Sequence, residues 1–206
     1  MRPVDLALVL AIDASSSVDY EEFGLMMGGY AAAFRDDTVQ AAILSGPRAA
    51  IAVCLLLWSG TGAQAVGVAW TVVQDAASAA TLADAIEACP RLVPAGATAL
   101  GEGMAAGLAQ LATCPAEAAR GVMDVSGDGA HNQARPPGPV RDIGVAAGFT
   151  INGLAVVNEE PDLLAHYQAE VIGGPGSFAM ECPDYGAFAD AIQRKLLREI
   201  GGGVIA

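Results

Sequence analysis

The sequence predicts an α/β fold: a doubly wound, mostly parallel six-stranded sheet with one antiparallel edge strand and helices on both faces. Three observations predict it. Apolar runs of strand length, such as residues 4–12 and 51–58, alternate with stretches of helical periodicity, the pattern of parallel strands joined by helical crossovers. Apart from Asp5, these runs are continuously apolar instead of alternating, as befits strands covered on both faces. The connection after Trp58, Ser59-Gly60-Thr61-Gly62, is too short for a helical crossover, so the strand at 64–73 is expected to return as a hairpin.

The elements follow in order. Residues 4–17 form a buried strand that opens into Asp13 and three serines, Ser15, Ser16 and Ser17. Residues 19–36 carry Phe23, Met27, Tyr30 and Phe34 on one helical face, with Asp19, Glu21 and Glu22 in the first turn, where carboxylates favour the positive end of the helix dipole. Residues 37–48, containing Gly46-Pro47, read as a connector, and residues 49–58 as the second strand. Residues 78–89 are helical, with Leu82 and Ile86 four apart, and a loop follows. Leu100, Met104, Leu108 and Leu111 mark a helix that starts just after Thr98, its expected cap. Residues 121–126 form the fourth strand, 140–147 a helix, 150–157 the fifth strand and 162–171 a helix. Gly173-Gly174-Pro175-Gly176 then breaks the pattern before a short sixth strand at 177–181. The last helix runs from 185 to about 200, with Phe188, Ile192, Leu196 and Ile200 four apart, and glycines end it. No repeat or linker divides the chain, so one domain over 1–206 is expected.

The 206 residues are 53% hydrophobic, enough for a full core. A net charge of -13 repels nucleic acid and anionic membrane surfaces and favours a cationic partner or a metal. No apolar run approaches the roughly 20 residues that cross a bilayer, so membrane insertion is not expected. The first strand is expected to begin within a few residues of Met1, so no charged n-region, apolar h-region or cleavage site of a secretory leader is read in these residues. The protein is expected in the periplasm or outside the cell if a leader has been removed, the setting that the loop cysteines favour, and otherwise in the cytoplasm. Cys54 lies in an apolar run and reads as a core thiol. Cys89, Cys114 and Cys182 each precede a proline at a loop, where one disulfide could form in an oxidising compartment. Cys-x-x-Cys spacing is absent and only His131 and His166 are present, which argues against a nitrogen-and-sulfur metal site.

The polar clusters fall where α/β sheets bind ligands, beyond the carboxyl ends of the strands. Asp13-x-Ser15-x-Ser17 follows the first strand, Gly96-Ala97-Thr98 precedes a helix, and Ser126-Gly127-Asp128-Gly129 follows the fourth strand. Hydroxyls with one or two carboxylates suit a hard cation such as Mg²⁺, which takes oxygen ligands and sheds water reluctantly. The plainer account is that Asp13 closes a turn and the serines cap the next helix. Asp124 lies inside a strand and needs either a donor or a place at the site. Gly101-Glu102-Gly103 follows no strand and is not a dinucleotide loop.

Together, Asp13-x-Ser15-x-Ser17, the Gly-x-Thr98 loop and Asp128-Gly129 resemble the von Willebrand factor type A domain and its metal-ion-dependent adhesion site. The run from Asp124 to Gly129 and the segment from Glu170 to Gly176 further resemble a bacterial branch of that superfamily. The resemblance implies Mg²⁺ or Mn²⁺ held by Ser15 and Ser17, with Thr98 direct or through water and Asp13 and Asp128 mostly through water. It also implies an open position for a carboxylate from a partner protein. Ser126-Gly127 ahead of Asp128 departs from that family, where a Thr more often stands beside the Asp, which leaves Asp124 as a rival, although the strand-end position favours Asp128. The alternatives are a metal-assisted hydrolase, with His131 or Glu159 as base, and a scaffold with a degenerate site. No Gly-x-Ser-x-Gly elbow supports a serine nucleophile.

Overall fold

The structure, a computed structural model, describes residues 2–202. Its six strands are β1 (Pro3–Asp13), β2 (Ile51–Trp58), β3 (Gln64–Val73), β4 (Glu117–Gly127), β5 (Thr150–Val156) and β6 (Ala179–Cys182). They lie in the order β3-β2-β1-β4-β5-β6. All pairs are parallel except β2 with β3, which is antiparallel as the short connection demands. The winding reverses at β1, so β1 and β4 are central neighbours, and their carboxyl ends form the crevice where such sheets bind ligands.

Alternate residues of β1 explain its apolar run from Leu6 to Ile12. Leu6, Leu8, Leu10 and Ile12 enter one core with α1 (Tyr20–Arg35), α2 (Asp37–Ser45), α3 (Ala76–Glu87) and α7 (Phe188–Ile200). Ala7, Val9 and Ala11 enter the other with α4 (Leu100–Ala112), α5 (Pro137–Ala146) and α6 (Leu163–His166). Both faces are therefore dry, and each fully buried Leu contributes about 1.5–3 kcal/mol. The side chain of Trp58 is fully buried, and Gly103 allows α4 to approach it: a Cβ there would lie 2.5 Å from the indole.

Three expectations need correction. Residues 37–45 form α2, not a connector. Asp36 is its N-cap and accepts from the amides of Thr38 and Val39, while Val39 and Ile43, four apart, turn into the core. Thr98 does not cap α4: Ala99 holds the N-cap position and no side chain caps that end. All four cysteines are free thiols, so the disulfide among Cys89, Cys114 and Cys182 does not form. The segment after α6 widens into a single π turn, Tyr167–Val171, whose Tyr167 and Val171 lie in the core.

Candidate metal centre

The site begins where β1 ends. The Ser15 amide donates to Asp13 Oδ1 at 2.7 Å, an Asx-type turn that bends the chain out of the strand and buries both residues. The Ser15 and Ser17 hydroxyls lie 3.2 Å apart, and Ser17 Oγ donates to Asp128 Oδ1 at 2.7 Å. Asp128 follows the end of β4, so this bond ties together the tips of the two central strands.

Gly127 makes that approach possible. A Cβ on it would stand 2.8 Å from Asp13 Oδ2 and 2.9 Å from Tyr167 Oη. Thr98 arrives from the loop before α4, 5% exposed, with its amide donating to Asn132 Oδ1 at 2.9 Å and its carbonyl accepting from the Asn132 amide at 3.1 Å. Freed from capping, its Oγ1 lies 3.3 Å from where a Gly129 Cβ would sit. The structure thus ties Asp13, Ser15, Ser17 and Asp128 together and holds Thr98 against the Asp128-Gly129 turn.

Asp13 Oδ2 and Asp128 Oδ2 are both buried without a hydrogen-bond partner. A buried carboxylate oxygen without a donor is costly. Burial, and then the charge of Asp128, pushes the Asp13 carboxyl up to about 7. Two orphaned carboxylate oxygens beside hydroxyls form an electron-rich, all-oxygen donor set, which fits a hard divalent cation. Among the described residues no group of three or more His, Cys, Asp or Glu could hold a metal, so any cation here would depend on hydroxyls to complete its ligands.

The structure also separates Asp124 from Asp128. Asp124 faces α7, forms a buried ion pair with Lys195, and lies within 3.4 Å of the Tyr30 and Ser126 hydroxyls. Its charge is met there, whereas Asp128, just beyond the end of β4, is the carboxylate that meets Ser17. His131 Nδ1 is buried without a partner, its amide donates to His166 Nε2 at 3.4 Å, and burial lowers its pKa, with His166 adding to the effect. Glu159 is exposed, whereas its neighbour Glu160 accepts from the Ala130 amide at 2.9 Å.

Two residues missed in the sequence support the site. Asn152 and the other core polar groups aside, Asn132 clamps Thr98, and Arg91 braces the serine loop from behind. The Arg91 guanidinium donates to the carbonyls of Ala14 at 2.8 Å, Ser15 at 2.6 Å and Val18 at 2.8 Å, and lies against the Tyr20 and Phe23 rings. Its one sequence signal is isolation: no other Lys or Arg lies between Arg48 and Arg120.

The doubly wound sheet with its antiparallel edge and the hydroxyl-rich crevice define a von Willebrand factor type A-like fold. Within that class the chain belongs to the family described as "Protein of unknown function (DUF1194)", which it matches over residues 3–204. Three solved structures illustrate the likeness. A von Willebrand factor type A protein from Catenulispora acidiphila is 18% identical with a TM-score of 0.65, covering 96% of this chain and 43% of its own. The proximal thread matrix protein 1 of the mussel byssus, with a zinc-occupied adhesion-site motif, is 17% identical with a TM-score of 0.61, covering 95% of this chain and 46% of its own. The corresponding domain of the type V pili tip protein Mfa5 from Porphyromonas gingivalis is 11% identical with a TM-score of 0.62, covering 98% of each chain. This chain thus spans less than half the length of the first two. No curated protein matches it.

Proposed function

We propose that this chain is a metal-dependent protein-binding module of the adhesion type, in which Asp13, Ser15, Ser17, Thr98 and Asp128 hold Mg²⁺ or Mn²⁺ and a partner protein contributes a carboxylate. The observation that carries it is the pair of buried, unpartnered oxygens, Asp13 Oδ2 and Asp128 Oδ2, beside a hydroxyl chain that ends on Asp128. Once bound, the cation supplies a Lewis acid for an anionic oxygen. Everything else is done by the protein: the Asx turn orients Asp13, Ser17 fixes Asp128, and Asn132 and Arg91 hold the loops that present Thr98 and the serines.

The proposed role is binding without turnover, on the cell surface or in the periplasm. Pilus proteins among the fold's relatives favour such a setting. Among the described residues no helix is long and apolar enough to cross a membrane. The test is titration calorimetry with Mg²⁺ and Mn²⁺ on the wild type and on Asp13→Ala. Saturable heat in the wild type alone is the expected result. Identical traces from the two proteins would falsify the proposal.

A further inference from the structure

The two orphaned carboxylate oxygens of the site, Asp13 Oδ2 and Asp128 Oδ2, have counterparts among the described residues: the hydroxyls of Tyr167 and Tyr185 are also buried without a hydrogen-bond partner. A carboxylate can only accept, and a phenol can donate. Buried polar groups are nearly always paired, so two spare acceptors and two spare donors call for an account.

Two glycines place Tyr167. The residue is fully buried, and its ring lies against Gly153 of β5, where a Cβ would stand 2.5 Å from Cδ1. Its hydroxyl reaches Gly127 of β4, where a Cβ would stand 2.9 Å from Oη and 2.8 Å from Asp13 Oδ2. Donor and acceptor therefore border the space that one methyl group would fill. A small rotation of the carboxyl, or one bridging water, joins them.

Tyr185 stands in the turn before α7, 4% exposed, its ring stacked on Phe188. Burial raises the pKa of both phenols, and the next cause is Asp128 for Tyr185 and Asp13 for Tyr167. Both hydroxyls are thus kept protonated, as donors, and each is affected most by a different carboxylate of the site.

We infer that Tyr167 and Tyr185 are positioning residues of the metal centre: with a cation bound, Tyr167 Oη donates to the Asp13 carboxylate and Tyr185 Oη to that of Asp128, directly or through one water. The inference rests on the metal-binding reading of this site. A carboxylate has about four lone-pair sites on its two oxygens, so it can serve a cation, or the cation's water, and still accept from a phenol. Without a cation the charges of Asp13 and Asp128 oppose each other. A cation removes that opposition and lets each carboxylate settle against its phenol, which then fixes its orientation from the protein side.

The experiment uses Tyr167→Phe and Tyr185→Phe, which keep the rings and remove only the hydroxyls. Each is titrated with Mg²⁺ by calorimetry beside the wild type, its unfolding midpoint is measured in EDTA, and the tyrosine difference absorption on adding Mg²⁺ is recorded. Each variant should bind Mg²⁺ about tenfold more weakly, the loss of one hydrogen bond to a charged group. In EDTA its midpoint should not fall, because the hydroxyl removed has no partner there, whereas a tyrosine with a merely structural role would lower it. Mg²⁺ should perturb the tyrosine absorption of the wild type, and each variant should lose part of that change. Each variant decides its own tyrosine. If the wild type binds Mg²⁺ and a variant matches it in affinity and difference spectrum, or loses only stability in EDTA, the role of that tyrosine is overturned and the metal-binding reading stands. If the wild type itself takes up no Mg²⁺, that reading falls and this inference falls with it.

Discussion

Ser17 Oγ donates to Asp128 Oδ1 across 2.7 Å, joining two residues 111 positions apart at the tips of neighbouring central strands. Only one lone pair of Asp128 is met by this bond, since Oδ2 is left buried and unpartnered. Ser17→Ala should therefore weaken Mg²⁺ binding about tenfold or more, through the loss of one oxygen and the release of Asp128. The unfolding midpoint without metal should move little, because Ser17 is only partly buried. Calorimetry and thermal unfolding of the same preparations check both halves.

Arg91 carries the serine loop on three carbonyls. Hydrogen bonds from a charged donor are each worth about 1.5–3 kcal/mol, part of which water recovers at a half-exposed site. Arg91→Ala should cost about 2–3 kcal/mol in denaturant unfolding and lower metal affinity as well. Arg91→Lys should rescue neither fully, because one ammonium cannot reproduce the planar fork.

Gly127 leaves no room for a methyl group between Asp13 and Tyr167. In Gly127→Ala the Asp13 carboxylate must move, so metal binding should fall by more than tenfold even where the protein still folds. Near-wild-type affinity in a folded Gly127→Ala protein would refute the packing described here.

Lys195 joins Asp124 and Glu199, and all three are buried. Removing the shared cation strands two carboxylates in the core, so Lys195→Met should destabilise by about 3–5 kcal/mol. Lys195→Met combined with Asp124→Asn should recover part of that loss, which a double-mutant cycle in urea will measure.

Burial, and then the charge of Asp124, raises the Glu199 carboxyl to about 7, with Lys195 opposing the shift. The folded state therefore holds this proton more tightly than the unfolded chain, where the group titrates near 4.5. Below about pH 4.5 both states are protonated and the group contributes no penalty. Between 4.5 and 7 the unfolded chain releases the proton first, and stability falls as pH rises. Wild type minus Glu199→Gln, followed by urea unfolding at several pH values, should decline across that window and level off above it.

Strand order and site composition were legible to different depths. The hairpin between β2 and β3 followed from a connection too short for anything else, and the continuous apolar run of β1 announced cover on both faces. Helix α2 was hidden because Gly46-Pro47 dominated the segment, although Asp36 with Val39 and Ile43 carried the capping and spacing signal. Thr98 looked like a cap because hydroxyl residues favour that position, yet Asn132, 34 residues away, holds it by both backbone groups. The strand-end position favoured Asp128, but what Asp124 does inside its strand could not be read from the chain. A buried lysine from the last helix was needed to claim Asp124, and no local pattern encodes such a partner.

What the sequence determined by itself was local: the strands and all the long helices but α2, which turn is tight, and which loops carry oxygen. Periodicity and turn chemistry act over a few residues, so they can be read without knowing what lies opposite. The tertiary structure alone decided which oxygens meet, which carboxylate is already neutralised, and which buried atoms lack a partner. Those outcomes depend on contacts between residues tens to more than a hundred positions apart, whose distances follow only once the sheet has assembled and its two faces have been sealed from water.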